Sequence, residues 1–162
     1  MISTSLRGPI LLVEDDDNDV ALIRRATKKA KLEHPMKVVR DGEAAISYLR
    51  GDGEFADRNI YPLPGLVLLD VKLRRKNGLE VLEWLRSQDS LKRILVIMLT
   101  SSRETQDVNR AYDLGANSYL VKPATFGALL LLVQNLGSYW LLLNECPDPS
   151  IVQSPDSATP DL

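Results

Sequence analysis

The sequence predicts an α/β domain: a doubly wound, five-stranded parallel sheet with helices on both faces. Three observations carry that expectation. Five short runs of strand length alternate with stretches of helical length. Four of the runs are strongly apolar, as strands covered on both faces require. Those four also end in polar residues of different chemistry. Ile10-Leu11-Leu12-Val13 enters Glu14-Asp15-Asp16, and Leu66-Val67-Leu68-Leu69 enters Asp70. Ile94 to Leu99 enters Thr100-Ser101-Ser102, and Ser118 to Val121 enters Lys122-Pro123. Parallel strands end at a common edge, so these groups converge where open α/β sheets bind ligands.

The elements follow in order. The first strand, Ile10–Val13, leads to Asp17, Asn18 and Asp19, which offer N-cap chemistry for a helix to about Ala30. Val20, Ile23, Ala26 and Ala30 form its apolar stripe, and Arg24, Arg25, Lys28, Lys29 and Lys31 load the other side. The second strand is Met36–Arg40. Asp41 can cap a helix carrying Ala44, Ala45, Tyr48 and Leu49, which Gly51-Asp52-Gly53 ends. Residues 51–64 read as a long polar loop closed by Pro62 and Pro64. After the third strand, Leu66–Asp70, a helix begins near Asn77-Gly78 with Leu79, Val81, Leu82 and Leu85 as apolar positions. Trp84 lies on a neighbouring flank of that helix. The fourth strand is Ile94–Leu99, and a more polar helix over Arg103–Asp113 stops at Leu114-Gly115. The fifth strand, Ser118–Val121, precedes a strongly apolar helix from Thr125 to about Leu143. Residues 8–143 make one domain. Residues 1–7 and 147–162 read as flexible termini, the latter rich in Pro, Ser and Asp.

Bulk properties narrow the function. The 162 residues suffice for one hydrophobic core. Twenty Lys and Arg against 22 Asp and Glu lack the basic excess of a nucleic-acid binder. Cys146 is the only cysteine, which excludes an intrachain disulfide and fits a reducing, cytoplasmic setting. The N-terminus has no apolar core of signal-peptide length. The longest unbroken apolar stretch, Ala128 to Val133, is far short of the ~20 residues of a membrane span, so no membrane partner is expected.

The convergent groups suit phosphoryl transfer. Asp70 is the candidate nucleophile, since a carboxylate can attack phosphorus and form an aspartyl phosphate. Two anions then meet, which requires positive charge. Mg²⁺ held by one or two carboxylates supplies it, and Glu14 and Asp15 are the candidate ligands. Asp16 ranks below them because successive side chains diverge. Lys122 offers an ammonium to Asp70 or to a phosphoryl oxygen, Thr100 offers a hydroxyl, and Ser101 leaves room. Taken singly, each is an ordinary turn, cap or surface residue. Their convergence on one edge favours the functional reading.

These residues resemble the receiver domain of two-component response regulators, over about residues 8–143. The resemblance rests on Leu12-Val13-Glu14-Asp15-Asp16, Val67-Leu68-Leu69-Asp70, Asn77-Gly78, Leu99-Thr100-Ser101 and Val121-Lys122-Pro123, in order. It implies a flavodoxin-like receiver fold in which Asp70 accepts a phosphoryl group from a histidine kinase's phosphohistidine. Glu14 and Asp15 match the acidic pair, with Asp15 the direct Mg²⁺ ligand, and the backbone carbonyl of Lys72 matches a third protein ligand. Thr100 matches the switch hydroxyl. Tyr119 matches the aromatic that swings inward when Thr100 moves, and Lys122 matches the family's lysine. Lys122-Pro123 resembles the family's cis peptide. Arg74 stands where the family often has Pro, and Asn77 where it often has Asp. Lys72 puts a cation beside the site and is expected to alter the lifetime of the aspartyl phosphate.

The chain shows no recognisable effector domain after the fifth helix, so it reads as a stand-alone receiver. Tyr61-Pro62-Leu63-Pro64-Gly65 and Tyr139-Trp140-Leu141 resemble stand-alone regulators paired with phytochrome-type photoreceptor kinases. The excess of large apolar residues in the last helix points to a homodimer. The expected role is a signalling switch rather than an enzyme. An aspartate-nucleophile phosphohydrolase commonly needs a second Asp two residues after the nucleophile, where this chain has Lys72. A phosphorylation-independent pseudo-receiver is opposed by the intact set Glu14, Asp15, Asp70, Thr100 and Lys122.

Overall fold

The structure, a computed structural model, describes residues 6–148. Five strands and five helices alternate: β1 Ile10–Val13, α1 Asp17–Lys29, β2 Met36–Val39, α2 Gly42–Arg50, β3 Leu66–Leu69, α3 Gly78–Ser87, β4 Leu95–Thr100, α4 Thr105–Asp113, β5 Ser118–Val121 and α5 Phe126–Leu136. All strand pairs are parallel, in the order β2-β1-β3-β4-β5. The expected doubly wound parallel sheet is therefore present. The strand order reverses between β1 and β3, so Glu14-Asp15 and Asp70 emerge at the switch point, where such sheets leave a crevice.

Strand side chains alternate between two faces, and each face has its own cover. Leu11, Val13, Val67, Leu69, Val96 and Met98 pack with residues of α2 and α3 and with Ala111 of α4. Ile10, Leu12, Leu66, Leu68, Ile97 and Leu99 pack with Val20 and Ile23 of α1 and with Leu136 of α5. The three central strands β1, β3 and β4 are buried throughout, which explains their unbroken apolar runs.

Several elements refine the sequence reading. The N-cap of α1 is Asp16, whose side chain accepts from the Asn18 and Asp19 amides. Asp17 to Asp19 thus lie inside the first turn. The segment after α2 is more packed than a polar loop. It contains a 3₁₀ turn, Gly53–Phe55, and Phe55 and Tyr61 stack edge-on at 5.1 Å while both pack on Tyr48. Arg58 reinforces it by donating to the carbonyls of Tyr48, Leu49 and Tyr61. The last helix changes form, continuing from α5 as π-helix over Gly137–Leu143. Among the described residues no peptide bond is cis, so Lys122-Pro123 is trans. Leu6 is buried, and Arg7 ion-pairs with Asp148 at 2.6 Å. The rest of the termini, 1–5 and 149–162, lies outside the described residues.

The span Phe126–Leu143 is 18 residues with mean hydropathy 1.6, long and apolar enough to cross a membrane by length and composition. Polar residues such as Asn135 and Ser138 break its apolar run, but they are uncharged, so the mean hydropathy stays high. Its buried residues Leu129, Val133, Leu136 and Leu141 belong to the core clusters against α1 and the sheet. Inserting this helix in a bilayer would strip that face of the core. Its other side stays open: Leu131, Tyr139, Leu142 and Leu143 are exposed. With Leu120 and Trp140 nearby, residues of this side line a shallow groove of about 410 Å³.

Candidate functional site

Backbone pairing brings the four strand ends together. The Asp70 amide donates to the Val13 carbonyl, and the Glu14 amide to the Val39 carbonyl. These bonds extend the sheet one residue past its strands and fix both carboxylates at its edge. Gly78 lets the following loop fold back over β3: a β-carbon there would lie 1.9 Å from the Asp70 carbonyl oxygen. The Gly78 amide then closes the turn on the Val71 carbonyl at 2.8 Å. Asn77 caps α3 through a capping box with Glu80, which suits Asn as well as Asp.

Lys122 is the hub. Its Nζ donates to Glu14 Oε2, to Asp19 Oδ2 at 2.8 Å and to Asp70 Oδ2 at 2.9 Å. One ammonium against three carboxylates leaves the pocket with excess negative charge. Glu14 is also deeply buried. Its side chain is only 2% exposed, and burial pushes its pKa from 4.5 up to about 7 against the opposing pull of Lys122. Burial works against the Lys122 ammonium as well, but its bonds to Asp19, Glu14 and Asp70 outweigh that and raise its pKa. Lys122 is therefore charged throughout the physiological range.

A divalent cation fits this pocket. Carboxylate oxygens of Glu14, Asp15 and Asp70 all lie within 4.8 Å of one another. They are hard oxygen donors of the kind Mg²⁺ and Mn²⁺ take, and the surplus negative charge favours a cation. The Lys72 amide donates to Asp70 Oδ1 at 3.3 Å, which holds the Lys72 backbone beside the cluster. An open cleft of about 620 Å³ adjoins the cluster at Asp15, with Lys72, Arg74 and Glu104 also on its walls. Asp16 is turned away, its side chain engaged in capping α1.

The β4 end carries a second network. Thr100 is fully buried, and its Oγ1 accepts from the Ser102 amide at 3.3 Å. The Ser102 hydroxyl donates to Asp107 Oδ2 at 2.5 Å and accepts from the Glu104 amide at 3.4 Å. Tyr119 donates its hydroxyl to the Ser102 carbonyl at 3.0 Å. Ser102 thus links Thr100, Tyr119 and the start of α4. Two members of the site were not singled out in the sequence. Asp19 looked like helix-cap chemistry, yet it reaches Lys122 from the first turn of α1. Ser102 was part of a hydroxyl run, and only the fold shows which hydroxyl does the linking.

Comparison with known proteins shows which family the chain and its fold resemble. Residues 10–134 match the response regulator receiver domain. Response regulator Rcp1 of Synechocystis sp. is 39% identical over 132 residues, covering 82% of this chain and 88% of that protein. The Mn²⁺-bound crystal structure of a response regulator of the same name superposes with a TM-score of 0.79 at 37% identity, over 88% of this chain and all of the other. The phosphorylated cyanobacterial phytochrome response regulator RcpA superposes with a TM-score of 0.81 at 37% identity, over 88% and 99% of the two chains. A probable methanogenesis regulatory protein of Methanothrix harundinacea, FilR2, is 39% identical over 144 residues, covering 87% of this chain and 88% of its own.

Proposed function

The chain belongs to the family of response regulator receiver domains, and on that premise we propose that residues 8–143 form a phosphorylation switch whose acceptor is Asp70. An Asp70 carboxylate oxygen attacks the phosphorus of a histidine kinase's phosphohistidine. The new P–O bond forms as the P–N bond breaks, and the imidazole leaves with the bonding pair. The observation that carries this reading is the Lys122 ammonium bonded at once to Asp70, Glu14 and Asp19 at the strand ends. It places a permanent cation on the nucleophile, where the transferred group's charge arrives. Glu14, Asp15, Asp70 and the Lys72 carbonyl would hold Mg²⁺. When bound, Mg²⁺ neutralises the charge of the incoming phosphoryl group.

Phosphorylation then shifts an existing two-state equilibrium. Thr100 leaves the Ser102 amide for the phosphoryl group, Tyr119 loses its anchor as the Ser102 segment moves, and the surface of α4 and β5 changes. The role is a cytoplasmic signalling switch, not a metabolic enzyme, and Lys72 in place of a second Asp opposes a phosphohydrolase. The likeness to RcpA, a cyanobacterial phytochrome response regulator, supports a phytochrome-type kinase as the donor. FilR2 is as similar in sequence as Rcp1, at 39% identity, so competition between a phytochrome-type kinase and other histidine kinases for phosphotransfer tests that pairing. The open apolar side of Phe126–Leu143 supports a homodimer, because a two-fold axis lays such a face on its own copy. Incubation with a radiolabelled, phosphorylated histidine kinase and Mg²⁺ tests the switch. Label should move to this chain and fail to move to Asp70→Asn; label retained on the kinase overturns the reading.

A further inference from the structure

Arg74 stands four residues after Asp70, in the loop before α3. The backbone around it is fixed against α2. The Arg74 carbonyl accepts from the Gly42 amide at 3.4 Å and from the Lys76 amide at 2.8 Å. A β-carbon at Gly42 would lie 1.9 Å from the Lys76 carbonyl oxygen, so the close approach needs glycine there. The next residue, Arg75, adopts left-handed backbone with φ 67° and pairs with Asp41 at 4.0 Å and Glu43 at 3.5 Å. A non-glycine residue in that region is costly, and these contacts hold it there.

The fixed loop aims Arg74 at the acidic pocket. Arg74 Nη2 donates to the Asp15 carbonyl at 3.3 Å, and Nε lies 3.8 Å from Asp15 Oδ2. Asp15 is the most solvent-open of the three clustered carboxylates. A guanidinium and a divalent cation cannot both sit against one carboxylate without strong repulsion. We propose that Arg74 is a built-in competitor for the divalent cation: it neutralises Asp15 in the metal-free protein and must withdraw when the cation binds. This rests on the reading of Glu14, Asp15 and Asp70 as a divalent-cation site. The Arg74 side chain is 75% exposed, so the competition is screened by salt and moderate in size. Its consequence is a metal affinity lower than the same carboxylates would give alone. The displaced guanidinium remains on the wall of the cleft, where an anionic phosphodonor enters.

Isothermal titration calorimetry with Mn²⁺ at low salt tests this without reference to activity. Arg74→Ala should bind Mn²⁺ roughly three- to tenfold more tightly than the unmodified protein. That gap should close as NaCl is raised to ~0.5 M. Lys76→Ala removes a charge from the same loop but no ion pair with Asp15, and should change affinity less than about twofold. Equal or weaker binding by Arg74→Ala overturns the competitor. An equal gain in both variants also overturns it, in favour of the loop's bulk charge. If the unmodified protein binds no Mn²⁺, the cation-site reading itself fails.

Discussion

Replacing Glu14 by Gln should stabilise the metal-free protein at alkaline pH while weakening its metal site. Glu14 is buried and its pKa is raised from 4.5 to about 7, so keeping it ionised above pH 7 costs about 3 kcal/mol at ~1.4 kcal/mol per unit. Gln removes the charge but keeps one acceptor oxygen, which can serve Lys122 or the Asp16 amide, where Glu14 uses Oε2 for the first and Oε1 for the second. Some Coulombic attraction to Lys122 and one hydrogen bond of about 1 kcal/mol are lost, so the net gain at pH 8 should be about 1–2 kcal/mol. The sign follows from linkage. Between pH 4.5 and about 7 the folded state holds a proton on Glu14 that the unfolded state has released. Stability from this group therefore falls as pH rises through that window. Urea unfolding in EDTA at pH 5 and pH 8 reads both ends. The variant should be no more stable than the parent near pH 5 and should exceed it at pH 8, with weaker Mn²⁺ binding. A variant less stable at pH 8, or a difference independent of pH, would refute the reasoning.

Three further outcomes are expected. Lys72→Asn should change the rate at which the aspartyl phosphate is lost, because Lys72 lies beside Asp70 on the cleft wall; equal dephosphorylation rates in the two proteins refute this. Ser102→Ala should cost about 1 kcal/mol through loss of the bonds to Asp107 and the Glu104 amide, and should speed amide exchange at the start of α4. Unchanged exchange over residues 104–108 would show that Ser102 does not hold that helix. Tyr139→Asp puts a charge on the open apolar side of the last helix, where Tyr139 is 53% exposed. Light scattering should show a dimer for the parent and a monomer for the variant; a monomeric parent at micromolar concentration removes the homodimer.

The sheet was readable from sequence because its central strands are covered on both faces. Burial demands unbroken apolar runs, and the runs stop where the chain meets the cleft, as Val13-Glu14 and Leu69-Asp70 show. Helix boundaries were less legible. Asp16, Asp17 and Asp19 can each cap a helix, and only backbone geometry assigns the cap to Asp16. The stretch over 51–64 looked polar because Phe55 and Tyr61 are isolated in sequence. Their partner Tyr48 lies on α2, and an aromatic cluster of this kind exists only once the chain has folded. The role of Asp19 is hidden in the sequence for a related reason: its tie to Lys122 spans 103 residues. The contact of Arg74 with Asp15 likewise depends on how the loop after β3 sits on α2, which no local pattern encodes.

The most direct test is the intact mass of the protein after incubation with acetyl phosphate and Mg²⁺. The expected result is one added phosphoryl group, absent in Asp70→Asn and absent when EDTA replaces Mg²⁺. No added mass in the parent, or the same added mass in Asp70→Asn, would contradict the assignment of Asp70 as the acceptor.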